Sequence, residues 1–142
     1  MQPDNVIEEY LKKTYWVIDI LPWQVAGDGK GQYFKIEKYY LRHPQVDAIY
    51  RHFGQLLIKL NCYEDICVCH SESWTENPEP ETLEEWVSER EPLFVVLKSA
   101  DAMIVISGDD HYMTLYNPNN RLLDLVRALA ASENLFVWQP PR

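Results

Sequence analysis

The chain predicts an α+β fold: a mixed, mainly antiparallel sheet of five or six strands, with two long helices packed on one face. Three observations carry that expectation. Residues 93–116 hold three short runs, LFVVL, AMIVI and YMTLY, joined by connections short enough for antiparallel hairpins. Residues 44–60 and 118–133 place apolar side chains at helical spacing. No internal repeat or long linker divides the 142 residues, so one domain is expected over 1–142.

In chain order, residues 4–14 read as a helix. Pro3 and Asp4 suit its start, and Val6, Ile7, Tyr10 and Leu11 form its apolar stripe. Residues 15–21 (YWVIDIL) read as a strand that Pro22 breaks, with Asp19 as its lone charge, expected to point outward at an edge. Residues 26–31 (AGDGKG) hold three of the five glycines; they lack the GxxxxGK[ST] pattern and read as an ordinary loop.

Residues 32–42 (QYFKIEKYYLR) fit a helix slightly better than a strand. Glu37 then falls inside the apolar arc, where it is either an acid bonded to a tyrosine hydroxyl, the preferred reading, or a functional carboxylate. Residues 44–60 form a helix through Val46, Ile49, Tyr50, Phe53, Leu57 and Leu60, with Asn61 as a left-handed cap and His52 facing solvent. Residues 65–70 (DICVCH) read as a strand that puts Cys67 and Cys69 on one face and His70 on the other.

Residues 72–81 read as a surface loop and 82–90 as a short helix with a Thr82–Glu85 capping box. After the three-strand meander, Asn117 caps a helix that opens at Pro118, and residues 135–138 close the fold as a strand.

Composition narrows function. The net charge is −9, and residues 72–91 hold eight glutamates against one arginine. Such a balance disfavours a nucleic-acid partner, which needs a concentrated cationic face, and leaves two readings of the acidic stretch: a solvated surface loop, the preferred one, and a surface for a basic protein partner. No apolar run reaches the length of a membrane span, and the polar, acidic start does not resemble a signal or transit peptide, so no membrane association and a cytoplasmic setting are expected. Three cysteines, an odd number, are read as thiols in a reducing compartment.

Candidate chemistry lies in three places. Cys62, Cys67, Cys69 and His70 suggest a metal site, but strand alternation turns His70 away from the thiols, so neither metal nor cofactor is expected. Asp109, Asp110 and His111 bring two carboxylates and an imidazole into one turn, where they could hold a divalent cation or serve as acid and base, with Glu37 as a further member. Gly and Asp are also ordinary turn residues, and that reading is preferred. Aromatic residues are the third candidate: Tyr33, Tyr39, Tyr40, Trp23 and Trp74 could line a shared groove, but core packing explains most of them equally well and is the preferred reading.

No catalytic signature is present. The preferred expectation is a non-catalytic protein-interaction module, of inhibitor or immunity type by analogy of size and charge. Its binding surface would comprise Trp74, Glu79, Glu81, Glu84, Glu85 and Trp86. The alternative is a small enzyme or ligand-binding protein working through Asp109, Asp110 and His111. A third reading is a homo-oligomeric structural protein joined at an exposed sheet edge.

Overall fold

The computed structural model describes residues 3–27 and 31–141, so Asp28, Gly29 and Lys30 of the glycine-rich loop lie outside the described residues. The chain runs α1 (Pro3–Leu11), β1 (Tyr15–Asp19), α2 (Tyr33–Tyr40), α3 (Gln45–Leu60), β2 (Cys67–His70), β3 (Ser73–Glu76), α4 (Pro80–Ser88), β4 (Leu93–Leu97), β5 (Ala102–Ile106), β6 (Tyr112–Tyr116), α5 (Asn120–Ser132) and β7 (Phe136–Trp138), with a 3₁₀ turn at Lys98–Ala100. The fold is α+β. Seven strands form one sheet in the order β3-β2-β4-β5-β6-β1-β7, and every pairing is antiparallel.

The sheet therefore has one strand more than the pattern predicts and no parallel pair. The extra strand is β3, in the stretch expected to be loop. Its sequence, SWTE, has a single large apolar residue and hence no clear alternation. It forms because Ser71 and Glu72 both adopt positive φ (50° and 65°), the two-residue turn geometry that brings a strand back along its neighbour. Neither position is Gly or Asn, the residues that normally announce such a turn.

Alternation sorts the sheet into two faces. Ile18, Val68, Leu93, Val95, Ala102, Ile104, Met113 and Leu115 point to one side, into a cluster with Val46, Ile49, Phe53 and Leu57 of α3, Leu83 and Val87 of α4, and Leu122 and Val126 of α5. A smaller cluster on the other side brings Ile7 of α1 against Cys69, Val96 and Met103. By covering that second face at β2, β4 and β5, α1 leaves the β1–β6 end to other elements.

Several local expectations are corrected. Asp19 is 2% exposed, not outward-facing, because β1 is an interior strand flanked by β6 and β7. α4 starts at Pro80, so Thr82 lies inside the helix and makes no capping box. The cap of α5 is Asn119, whose side chain accepts from the Leu122 N–H at 2.8 Å; Asn117 has φ +60° and donates its amide to the Asp101 carbonyl. Asn61 is right-handed (φ −64°), and its side-chain amide donates to the Glu64 carbonyl and the Asn77 side chain.

One glycine is required. Gly108, in the turn between β5 and β6, has φ +97°, and a Cβ there would lie 2.2 Å from the Arg90 carbonyl oxygen. Arg90 in turn donates from Nε to the Gly108 carbonyl at 3.2 Å. This contact ties the end of the α4 segment to the turn that leads into His111.

Candidate functional site

On the sheet face opposite the main core, the side chains of β1 and β6 also follow a two-residue period: Tyr15, Val17 and Asp19 on one strand, Tyr112, Thr114 and Tyr116 on the other. Trp138 of β7, paired with Val17, joins the same face. The connection after β1 folds over this end of the sheet and contributes Trp23, Gln24 and Val25, while α2 contributes Tyr33. Together they enclose a groove of about 480 Å³, within the range of small-ligand sites.

His111 and Asp19 lie at the base of the groove, each side chain only 3% exposed. The His111 Nδ1 is 2.8 Å from Asp19 Oδ1, and Trp138 Nε1 donates to the other oxygen of Asp19 at 3.2 Å. On the opposite edge of the imidazole, Nε2 lies 3.0 Å from the Tyr33 hydroxyl and 3.7 Å from Glu37 Oε2. Tyr33 also reaches Glu37 Oε2, at 3.1 Å. Four elements thus meet on one imidazole: β1, α2, β7 through Asp19, and the turn before β6.

The electrostatics follow from this arrangement. Burial pushes the His111 pKa down, but the hydrogen bond and charge of Asp19, joined by the charge of Glu37, outweigh it and raise the value above the ordinary histidine range. Burial, the hydrogen bond to Glu37 and the neighbouring negative charges push the Tyr33 phenol well up, so it keeps its proton. Tyr112, whose ring meets His111 edge-on with centroids 5.4 Å apart, is raised chiefly by burial.

The Asp109–Asp110–His111 turn, which only the alternative reading treats as one chemical unit, is divided by this geometry. Asp110 accepts from the Ser107 hydroxyl at 2.8 Å, and its backbone carbonyl accepts from Tyr50 at 2.8 Å. Asp109 is exposed, with its N–H directed to Ser107. Only His111 enters the buried cluster, and its carboxylate partners are Asp19 and Glu37. Glu37 does bond to a tyrosine hydroxyl, within a helix that has no buried residue.

The acidic surface is also rearranged. Glu79, Glu81, Glu84 and Glu85 are exposed on and beside α4. The two tryptophans read with them sit on opposite sides of the sheet. Trp74 packs toward Cys69 and Met103, whereas Trp86 packs on the α3 side and stacks on His70, centroids 4.4 Å apart at 13°. Of the five aromatics offered as candidates for a shared groove, Trp23 and Tyr33 line this one. Tyr40 packs against the main core with Tyr39 edge-on to it, and Trp74 lies at the far end of the sheet.

Tyr15, Asp19, Tyr112, Tyr116 and Trp138 were not grouped by the sequence. Two signals were available: a single carboxylate inside an apolar strand, and the Tyr-x-Thr-x-Tyr alternation of residues 112–116. Cys67 and Cys69 are buried on the α1 side, Cys62 is exposed, and among the described residues no cluster of three or more His, Cys, Asp or Glu is placed to hold a metal ion. No helix among those residues is long and apolar enough to cross a membrane. No known protein family, curated protein or solved structure matches this chain.

Proposed function

We propose that the chain is a non-catalytic protein-interaction domain, of inhibitor or immunity type, which binds a basic segment of a partner in the aromatic groove. One observation carries this reading. Among the described residues, the groove is lined by Tyr15, Trp23, Tyr33, Tyr112, Tyr116 and Trp138, holds no lysine or arginine, and has the Asp19 carboxylate beside His111 at its base. Aromatic faces attract guanidinium and ammonium groups, and tyrosine and tryptophan dominate binding hot spots. Trp23, 72% exposed, lines the groove as an anchor, and Phe34, 75% exposed, stands next to Tyr33 on α2.

The exposed glutamates of α4 take a different part in this reading. On a chain whose net charge is −9, they would accelerate the approach of a basic partner without contacting it in the final complex. The odd cysteine count supports a reducing, cytoplasmic setting for that role.

Titration with an arginine-rich peptide, followed by tryptophan fluorescence, tests the proposal. Saturable binding is expected, weakened about tenfold by Trp23→Ala, the scale of one hot-spot contact. Equal binding of an acidic peptide of the same length, or indifference to Trp23→Ala, would overturn it.

A second reading, a small enzyme or ligand-binding protein, is favoured by the buried Asp19–His111 contact. A carboxylate that fixes one imidazole nitrogen prepares the other for proton transfer. Glu37 and His111 keep their place in this reading, while Asp109 and Asp110 bond elsewhere. A screen with nitrophenyl esters and phosphates tests it: turnover no greater than that of Asp19→Asn rules it out.

A further inference from the structure

The four groups around His111 impose a donor count that depends on one proton. Asp19 as a carboxylate only accepts, so its 2.8 Å contact fixes a hydrogen on His111 Nδ1 in either charge state. In the neutral imidazole Nε2 is then a bare acceptor. Tyr33 has one hydroxyl proton and two acceptors within reach, Nε2 at 3.0 Å and Glu37 Oε2 at 3.1 Å, so one of the two contacts goes without a hydrogen.

In the imidazolium, Nε2–H donates to the Tyr33 oxygen and Tyr33 donates onward to Glu37. Every contact then has its hydrogen, and a cation lies between two carboxylates, with Glu37 3.7 Å from Nε2.

α2 depends on this chain more than any other helix does. It has no buried residue, and Phe34, Ile36 and Tyr39 are exposed. Among the described residues, its attachments include the Tyr33 and Glu37 contacts at its first turns and the packing of Tyr40, its last residue, with neighbouring Leu41 against the core. We propose that the proton on His111 fastens the start of α2 to the sheet, and with it Tyr33 as one wall of the groove, so that loss of the proton releases helix and wall together. The groove is thereby a site with a proton-controlled wall, whatever ligand it takes.

The groups facing His111 from each neighbouring element agree in sign. Asp19 from β1 and Glu37 from α2 favour the cation, while Tyr33 and Tyr112 remain neutral. Trp138 from β7 donates to Asp19 and does not titrate. In the preceding turn the Asp110 carboxylate is engaged by Ser107, and the nearby cation, Arg90, sits 5.6 Å from the Tyr50 ring and bonds to Gly108.

Amide hydrogen exchange of the whole protein, corrected for the intrinsic pH dependence of exchange, provides the test without a ligand. Between pH 6 and pH 9.5 the protection of α2 relative to β4–β6 should fall about tenfold, the scale of one charge-assisted hydrogen bond. Tyr33→Phe, which leaves His111 and Asp19 intact, should hold α2 at low protection throughout, and Glu37→Gln should shrink the pH response. The proposal is overturned if α2 in the native protein follows β4–β6 at every pH, or if Tyr33→Phe retains the native response. Failure of the arginine-rich peptide to bind would remove the interaction reading and leave this result intact.

Discussion

The acidic α4 segment and the groove end of the sheet place charge in opposite ways. Residues 72–91 hold eight glutamates, while the base of the groove holds one buried carboxylate and one buried imidazole. Among the described residues none of Glu79, Glu81, Glu84 and Glu85 enters an ion pair, and all four face water. Water screens each of those charges, so their number sets a long-range field with little local structure. Asp19 and His111 are shielded from water, so a single contact there has large consequences for folding and for the shape of the groove. Charge density in a sequence and energetic weight in a fold are separate quantities.

Asp19 carries the largest expected effect. Asp19→Ala would leave the buried His111 and the Trp138 N–H without their partner, and the expected loss is about 3–5 kcal/mol in urea unfolding, typical of removing one partner from a buried pair. The same pair sets a pH dependence. Because the folded pKa of His111 is raised, its contribution to stability is fully present below the unfolded value, near 6.5, and is lost as pH rises through the folded value. Stability curves from pH 6 to pH 9.5 should show that fall in the native protein and a smaller one in Asp19→Asn. A native curve that rose over this interval would falsify the assignment.

Gly108→Ala acts where the two regions join. It imposes a strained backbone and a clash with the Arg90 carbonyl, for a loss of about 3 kcal/mol by thermal unfolding. Asn119→Ala lies away from both regions and serves as the reference, with a loss of about 1 kcal/mol from the α5 cap. Glu133 gives the opposite pH sign to His111. Burial raises its pKa, but hydrogen bonds from Lys59 and His52 outweigh that and lower it; the stability it contributes is present above the usual carboxylate range and lost as pH falls through the folded value.

The smallest effect is expected on the acidic surface. Changing Glu79, Glu81, Glu84 and Glu85 together to Gln should leave the Tm unchanged within error. The same variant should slow association with an arginine-rich peptide at low salt and have little effect at high salt. A clear drop in Tm would show that those charges carry structure after all, and would erase the contrast with the groove.

The meander was legible in the sequence because its strands are strongly apolar and its connections short: β4, β5 and β6 occupy the predicted residues 93–97, 102–106 and 112–116. Likewise α3 and α5 declare themselves through an apolar period that needs no tertiary information. β3 did not, because what makes it a strand is the backbone of Ser71 and Glu72 and a partner already in place. The Asn119 cap was missed by two residues for a similar reason, since either Asn117 or Asn119 satisfies the local pattern.

At the candidate site, His111 and Glu37 were each visible as titratable residues in unusual surroundings, but their grouping was not. Chain proximity pointed from His111 to Asp109 and Asp110, whereas the fold supplies Asp19, 92 positions away. The sequence by itself determined the fold class, the positions of the strongly periodic elements and the excess of negative charge, all of which depend on composition and local period. Only the tertiary structure decided which carboxylate is buried, which aromatics share a face and what His111 touches. Those properties depend on strand order: β1 takes an interior place between β6 and β7, and this buries Asp19 and brings it beside His111.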